Sequence, residues 1–217
     1  MLKIVVFDSG FGGELFADKL NEAIGVVEVI RVIDWRNANG YLESKKKARQ
    51  LAEKALSPYI GKVDLIIFAN TLLSITSLKY FKRKYKMQKF VGLGLKLPDT
   101  FIKRDVLILT TKAVTKTINY HNFLFRIRRP TKTLALDTWP DKIDDGELKP
   151  GEIRYTINQL LSEKYYPKEV ILACTQFSDI KNEIKDVLGG NTKIYDSFED
   201  GIRAAYRTLG MRGGLSL

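Results

Sequence analysis

The sequence predicts an α/β protein built from mainly parallel sheets. Short apolar runs rich in Val and Ile recur along the chain, and longer amphipathic stretches separate them. Runs without polar residues are typical of strands covered on both faces, and alternation of strands with helices favours parallel pairing. With 217 residues, of which 45% are hydrophobic and 28% charged, the chain can bury one large core or two smaller ones.

Strands and helices are expected to alternate along most of the chain. The predicted strands are Ile4–Phe7, Val27–Val32, Leu65–Phe68, Phe90–Leu95, Val106–Leu109, Thr133–Leu136, Val170–Ala173 and Lys193–Tyr195. The predicted helices, which show helical spacing of apolar residues, are Glu14–Ala23, Leu42–Tyr59, Leu73–Tyr85, Lys112–Asn122, Gly151–Lys164, Ser178–Leu188 and Phe198–Leu209. The dipeptide Asn39-Gly40 is a strong turn signal before the second helix.

Composition excludes several classes of protein. No apolar stretch approaches the roughly 18–20 residues of a membrane helix, and the N-terminal run Ile4–Phe7 fits a first strand better than a signal peptide. The single cysteine, Cys174, cannot form an internal disulfide, so we expect a reducing, cytoplasmic location. One cysteine and one histidine are too few for a structural zinc site, and no metal is expected.

The formal net charge is +11, and the excess is local. Between Lys79 and Lys132 the only acids are Asp99 and Asp105, with dense basic points at 82–84 and 126–129. Such a stretch fits a surface that faces an anion or a nucleic acid. It also fits solvated helix faces in a lysine-rich protein, and no nucleic-acid-binding motif is present.

Small polar residues follow several predicted strands, where parallel sheets bind ligands. The glycine-rich segment Asp8–Gly13 follows the first strand, but it has the spacing of neither a dinucleotide fingerprint nor a P-loop. The remaining strand-end residues are Asp34, Asn70, Thr71, Thr110, Thr111, Cys174 and Thr175. Hydroxyl and amide groups of this kind can hold carboxylates and an amino group, although each residue singly also fits a turn or a cap.

Three segments carry a resemblance to a known family. Phe7–Gly13 is similar to a Phe-Asp-Ser-Gly-x-Gly-Gly motif, Phe68–Thr71 to Ala-Cys-Asn-Thr, and Ala173–Ser178 to Gly-Cys-Thr-His-Tyr-Pro. These motifs belong to the glutamate racemases of the aspartate/glutamate racemase superfamily. Weaker matches, in the expected order, are Leu109–Tyr120, Ile143–Gly146 and Tyr195–Ser197. The chain thus resembles this family over nearly its whole length.

The resemblance implies two pseudo-symmetric α/β lobes with the substrate in the cleft between them. We expect the first lobe to comprise residues 1–92 and 195–217, and the second residues 93–194. The family's reaction needs no cofactor: it interconverts L- and D-glutamate and so feeds peptidoglycan synthesis. One cysteine thiolate removes the α-proton from one face, and a second cysteine returns a proton to the other. The resemblance therefore implies an isomerase whose ligand is a small acidic amino acid or dicarboxylate.

Several positions depart from the family pattern. Ala69 stands where the first catalytic cysteine is expected, and Gln176 replaces the histidine that assists the second. Asp144 replaces a glutamate, and residues 39–41 replace the Pro-Tyr-Gly that helps to bind the substrate carboxylate. An alanine carries no exchangeable proton, and a glutamine exchanges none near neutral pH. We therefore expect racemisation to be weak or absent.

Site roles follow from the positions that match. Cys174 is the candidate proton donor or base, and Asp8 would orient the reacting amine or assist proton movement. The expected substrate-binding residues are Ser9, Gly40, Tyr41, Asn70, Thr71, Thr175 and Gln176.

Four explanations stay open. Ala69 could be an engineered change, or the chain could be a one-cysteine lyase, as in the related arylmalonate decarboxylases. The chain could also be a non-catalytic binder of acidic ligands, or Cys174 could be an inert thiol. A homodimer, and a nucleic acid or other polyanion as partner, also stay open.

Overall fold

The computed structural model describes residues 1–25, 27–95, 105–127, 131–162 and 166–211. The chain divides into two compact units, Met1–Gly94 with Phe198–Leu217, and Leu95–Ser197. Each unit contains one four-stranded, all-parallel sheet flanked by helices. The predicted α/β fold is confirmed.

The first sheet has the strand order β2-β1-β3-β4. Its strands are β1 (Leu2–Asp8), β2 (Val27–Ile33), β3 (Leu65–Phe68) and β4 (Phe90–Gly92). In the register, Phe7 of β1 lies beside Phe68 of β3. The carboxyl ends of β1 and β3 therefore meet at one edge of the sheet, which brings the segments that follow them together.

The second sheet repeats this order as β6-β5-β7-β8. Its strands are β5 (Val106–Thr110), β6 (Thr131–Ala135), β7 (Glu169–Leu172) and β8 (Lys193–Asp196). All eight predicted strands are present. Because β8 pairs with β7 through Asp196, the second sheet extends two residues beyond the boundary expected at residue 194.

Ten α-helices are present in the described part of the chain. They are α1 (Gly12–Ile24), α2 (Ala38–Glu43), α3 (Lys45–Leu56), α4 (Thr71–Lys84), α5 (Lys112–Thr115), α6 (Ile118–Ile127), α7 (Trp139–Asp144), α8 (Pro150–Ser162), α9 (Lys181–Leu188) and α10 (Ser197–Leu209). Short 3₁₀ turns occupy Trp35–Asn37 and Thr175–Ser178. Lys164, the predicted end of the fifth helix, lies outside the described residues, as do Asp99, Arg128 and Arg129.

The prediction of one helix over Leu42–Tyr59 is wrong. Ser44 has an extended backbone and ends α2, and its Oγ accepts a hydrogen bond from the N–H of Lys47 as the N-cap of α3. The turn predicted at Asn39-Gly40 is also wrong, because both residues lie within α2. A Cβ at Gly40 would come within 2.7 Å of Cδ1 of Leu51, so the glycine instead permits close packing of α2 on α3.

Two further helix predictions differ from the structure in their bounds, and one helix was not predicted. The predicted helix Lys112–Asn122 is two helices, and Oγ1 of Thr117 between them accepts a hydrogen bond from the N–H of Tyr120. The predicted helix Ser178–Leu188 begins only at Lys181. Helix α7 has no counterpart in the prediction, although its first residue, Trp139, is buried. Short helices carry too little periodic signal to be found from spacing alone.

Both faces of the first sheet are covered, which explains its unbroken apolar strands. Ile4 and Val6 of β1 pack with α1 and α10, whereas Val5 and Phe7 face the cluster formed with α3 and α4. The core of the second unit includes Leu109, Leu172 and helices α7, α8 and α9. None of the helices in the described ranges is long and apolar enough to cross a membrane.

Candidate active site

Asp8 is held firmly at the end of β1. The residue is 1% exposed, and its Oδ1 accepts hydrogen bonds from the N–H groups of Ser9 (2.6 Å) and Gly10 (3.2 Å). The side-chain amide of Asn70 donates to the same oxygen over 2.9 Å. Three donors thus fix the orientation of one carboxylate at the carboxyl edge of the first sheet.

The first turn of α1 packs directly against Asp8. A Cβ at Gly13 would lie 2.4 Å from Cβ of Asp8 and 2.8 Å from Cδ1 of Ile33. Since real Cβ atoms do not approach this closely, only glycine fits without moving one of these side chains. The glycine-rich segment predicted from the sequence therefore serves close packing at Gly13.

Asn70 ties the ends of β1 and β3 together. Its Oδ1 accepts from the N–H of Leu73 (3.0 Å) and caps α4, while its Nδ2 donates to Asp8 and to Oγ of Ser9 (3.2 Å). One amide side chain therefore stabilises the start of a helix and orients a carboxylate. The sequence placed Asn70 in the site but gave no sign of this double function.

Thr71 offers a hydroxyl at the start of α4. The residue is 5% exposed, and its Oγ1 is buried without a hydrogen-bond partner among the described residues. Buried hydroxyls are nearly always satisfied, so this one is suited to a bond with a ligand. It lies beside the N–H groups of the first helical turn, which attract anions.

Gly40 packs against α3, whereas Tyr41 pairs with Asp34. Tyr41 is 4% exposed, and its hydroxyl donates to Oδ2 of Asp34 over 2.6 Å. Burial raises the pKa of Tyr41 well above its usual range, and the hydrogen bond to Asp34 and the charges of Asp34 and Asp8 act in the same direction. The backbone N–H of Asp34 donates to the carbonyl of Asp8 over 2.9 Å. The hydroxyl of Tyr41 is thus engaged by Asp34, whose backbone is bonded to that of Asp8.

Cys174 is placed just beyond β7 in the second unit. It is half-buried against the core, and its Sγ donates to Oε1 of Gln176 over 3.1 Å. The hydroxyl of Thr175 donates to the same oxygen over 3.3 Å. An amide oxygen accepts a hydrogen bond from a thiol but offers nothing to a thiolate, which needs a donor. Rotation of the Gln176 amide would present its NH₂ group instead.

The two units place different residues at equivalent backbone positions. The N–H of Ala69 donates to the carbonyl of Phe7, and the N–H of Ala173 donates to that of Leu109, each over 2.8 Å. Within the fold, Ala69 therefore corresponds to Ala173. The next residue in each unit, Asn70 or Cys174, has an extended backbone and precedes a helical turn. By backbone position, the counterpart of Cys174 is therefore Asn70. The motif resemblance instead makes Ala69 the counterpart of Cys174.

Ala69 itself is not exposed at all. It belongs to the apolar cluster that β1 and β3 form with α1 and α10. It has no group that can carry a proton, and it shares that cluster with Ile67 and Phe16. The position that the motif resemblance aligns with a cysteine is thus apolar and enclosed.

The remaining strand-end residues of the second unit have structural contacts. Oγ1 of Thr110 donates weakly to the carbonyl of Ala173, and Lys181 forms an ion pair with Asp196 at the end of β8 (2.8 Å). Asp144 is exposed at the end of α7. No group of three or more His, Cys, Asp or Glu side chains within the described ranges could hold a metal ion.

Comparison with known proteins supports the resemblance in the sequence. No protein-family model matches the chain. The glutamate racemase of Aquifex aeolicus is 26% identical over 215 residues, which covers 96% of this chain and 82% of that protein. The glutamate racemase of Clostridium perfringens strain SM101 is 24% identical, with 94% and 81% covered.

Solved structures show the same fold. Escherichia coli glutamate racemase, in complex with L-glutamate and the activator UDP-MurNAc-Ala, matches with a TM-score of 0.80 and 21% identity, covering 98% of this chain and 84% of that one. Picrophilus torridus aspartate racemase matches with a TM-score of 0.66 and 18% identity, covering 98% and 95%. The chain is therefore similar in sequence to glutamate racemases, and it has the fold seen in solved glutamate and aspartate racemases.

Proposed function

We propose that this protein binds an acidic amino acid and that Cys174 is its only group for transferring the α-proton. On this proposal it exchanges that proton but racemises its ligand weakly or not at all. The observation that carries the proposal is Ala69, a buried methyl group at the position that the motif resemblance aligns with the first cysteine of glutamate racemases.

Ligand binding is supported by the polar groups at the edge of the first sheet. The fixed carboxylate of Asp8 suits an ammonium group, and the hydroxyl of Thr71 with the N–H groups of α4 suits a carboxylate. Ser9, Thr175 and Gln176 complete the proposed set. Gly40 and Tyr41 act through packing and through Asp34. Relatives from Escherichia coli and Francisella tularensis have been solved with L-glutamate and with D-glutamate.

The proposed chemistry needs one thiol. The Cys174 thiolate takes the α-proton, which leaves a carbanion on the ligand and a neutral thiol. After the thiol exchanges its proton with solvent, it returns a proton to the same face. Inversion would require a second proton donor on the opposite face, and an alanine side chain cannot supply one. The ligand therefore keeps its configuration while its α-hydrogen is replaced.

A second candidate uses the same single thiol. In a decarboxylase, loss of carbon dioxide generates the carbanion, so one thiol that protonates it is sufficient. Release of carbon dioxide from an added malonate-type diacid would favour this candidate over α-proton exchange.

Exchange in deuterium oxide tests the proposal. We expect the wild-type protein to replace the α-hydrogen of glutamate or aspartate with deuterium, as followed by proton NMR. We expect Cys174→Ser to abolish the exchange while it still binds the amino acid in calorimetry, which shows that the fold survives. If exchange persists in Cys174→Ser, Cys174 is not the base. Binding without exchange in the wild type would contradict the proposed chemistry and leave a binding protein.

A further inference from the structure

The positive charge of this chain is concentrated in one segment. Between Ser44 and Phe90 there are 12 lysines and arginines and two acids, Glu53 and Asp64, a net charge of +10 out of +11. The rest of the chain holds the other 24 basic and 23 acidic residues and is nearly neutral. A lysine-rich composition would distribute the excess over the whole chain, so it does not explain this concentration.

The structure places most of these charges on two neighbouring helices. Helices α3 and α4 pack side by side over the same face of the first sheet, and a hydrogen bond from Arg49 to the carbonyl of Thr76 joins them. We define the basic face as the exposed residues Lys46, Lys47, Lys54, Lys79, Lys82 and Arg83. None of these six forms an ion pair with any other residue within the described ranges.

Helical geometry aligns these side chains. Lys47 and Lys54 are seven residues apart on α3, and Lys79, Lys82 and Arg83 have the i, i+3, i+4 spacing on α4. Each set therefore lies along one side of its helix. At about 1.5 Å per residue, the charged residues span about 12 Å along α3, from Lys46 to Lys54, and about 6 Å along α4, from Lys79 to Arg83.

Glu53, the acid between the two helices, is neutralised internally. Burial tends to raise the pKa of Glu53, but hydrogen bonds from Lys84, Tyr80 and Tyr85 outweigh it and lower the pKa. Arg49 stacks over the ring of Tyr80 at 4.8 Å. The Glu53 carboxylate therefore does not offset the positive charge of the basic face. The same contacts hold the residues between the two helices in place.

Helix stability does not account for the three lysines at the start of α3. Lys45, Lys46 and Lys47 occupy the first turn, which contains no acid. The positive end of the helix dipole disfavours cations there and favours them only in the last turn. Three lysines at the unfavourable end imply a use outside the folding of the helix.

We propose that the basic face binds the phosphate backbone of a nucleic acid. Lysine and arginine side chains spread along such a face can contact successive phosphates without base-specific contacts. The exposed large apolar side chains of the described chain all lie outside α3 and α4. Helices that dock on membranes bury an apolar face in the lipid, so this surface fits a nucleic acid better than a bilayer.

Salt-dependent binding of a fluorescein-labelled, random-sequence DNA duplex to the full chain tests this proposal. The face variant carries Lys47→Gln, Lys54→Gln, Lys79→Gln and Arg83→Gln. A control variant with the same charge change carries Lys116→Gln, Arg126→Gln, Arg154→Gln and Lys185→Gln, all exposed in the second unit. Thermal unfolding of both variants checks that they fold.

We expect wild-type affinity to fall steeply between about 50 mM and about 200 mM salt, since each phosphate contact adds about 0.9 to the log–log slope. The face variant should lose at least about tenfold in affinity and about two to four units of slope, whereas the control should change by less than about threefold. Equal losses in both variants, no DNA binding at low salt, or binding to phosphatidylserine vesicles without DNA binding would each overturn the proposal. The Cys174→Ser variant should bind DNA like the wild type, so this result is independent of the proposed acid–base chemistry.

Discussion

The thiol of Cys174 lies 3.1 Å from Oε1 of Gln176 and donates to it. The only sulfhydryl of the chain is thus paired with an amide, which cannot take up or release a proton near neutral pH. Gln176 therefore cannot act as the acid or base that assists this sulfur.

Gln176→His should make the thiol more reactive near neutral pH. A protonated imidazole donates to a thiolate and stabilises it, whereas the amide oxygen seen here accepts from the thiol. We expect alkylation by iodoacetamide at about pH 7 to accelerate on the order of tenfold. Gln50→His, on the exposed side of α3, is the control and should leave the rate unchanged. Equal rates in wild type and Gln176→His would show that residue 176 does not influence the thiol.

The two functions of Asn70 can be separated by substitution. Asn70→Ala removes both the cap of α4 and the donor to Asp8, and should cost about 1–2 kcal/mol of unfolding free energy. Asn70→Ser keeps a capping oxygen and should recover most of that stability. Because it lacks the amide that holds Asp8, it should still bind glutamate more weakly in calorimetry. Full affinity in Asn70→Ser would argue against a positioning function for this amide.

Gly13→Ala should disturb Asp8 through contact alone. The new Cβ would collide with the side chains of Asp8 and Ile33, and we expect a loss of about 1–3 kcal/mol in urea unfolding together with weaker ligand binding. Gly151→Ala is the matched control, because a Cβ added at Gly151 in α8 would have nothing within 4 Å. It should be neutral or stabilise by up to about 1 kcal/mol. Similar effects of the two changes would contradict the packing described for Gly13.

Stability should decrease above about pH 10, partly through Tyr41. Burial, the hydrogen bond to Asp34 and nearby negative charge raise the pKa of Tyr41 in the folded protein. The unfolded chain therefore loses this proton first, so the stabilisation is complete below about pH 10 and declines above it, by up to about 1.4 kcal/mol per pH unit.

Tyr41→Phe should be less stable than the wild type near neutral pH and should show a shallower alkaline decline. Thermal unfolding between about pH 7 and about pH 11 measures both effects. The pKa values of Tyr85 and Tyr120 are also raised, but both residues are present in the two proteins and so do not contribute to the difference. Parallel curves for the two proteins would contradict the assignment.

The sequence predicted the strands well because unbroken apolar runs leave few alternatives. It predicted the helices less well at Ser44 and in the stretch from Lys112 to Asn122, where a side-chain cap interrupts a continuing apolar pattern. Local capping by Ser and Thr competes with periodicity, and spacing alone does not show which prevails. The turn signal Asn39-Gly40 failed because the glycine is needed for packing and not for a turn. Close packing against Leu51 requires a glycine inside a helix.

The site was predicted as a set of strand-end residues, but its internal pairing was not. Motifs align Ala69 with a cysteine, whereas strand hydrogen bonds place Ala69 level with Ala173 and Asn70 level with Cys174. Register depends on long-range pairing, which a motif does not encode. The pairing of Tyr41 with Asp34 was missed as well, because it depends on how the chain after β2 brings α2 back to Asp34.

The fate of a single enantiomer in deuterium oxide tests the central claim most directly. Wild-type protein is incubated with L-glutamate, and in parallel with D-glutamate; NMR follows the α-deuterium and chiral chromatography follows the configuration. One thiol, with Ala69 where the motif resemblance expects another cysteine, predicts that deuterium enters with the configuration retained. Appearance of the opposite enantiomer at a rate comparable to that of deuterium entry would contradict the one-base account.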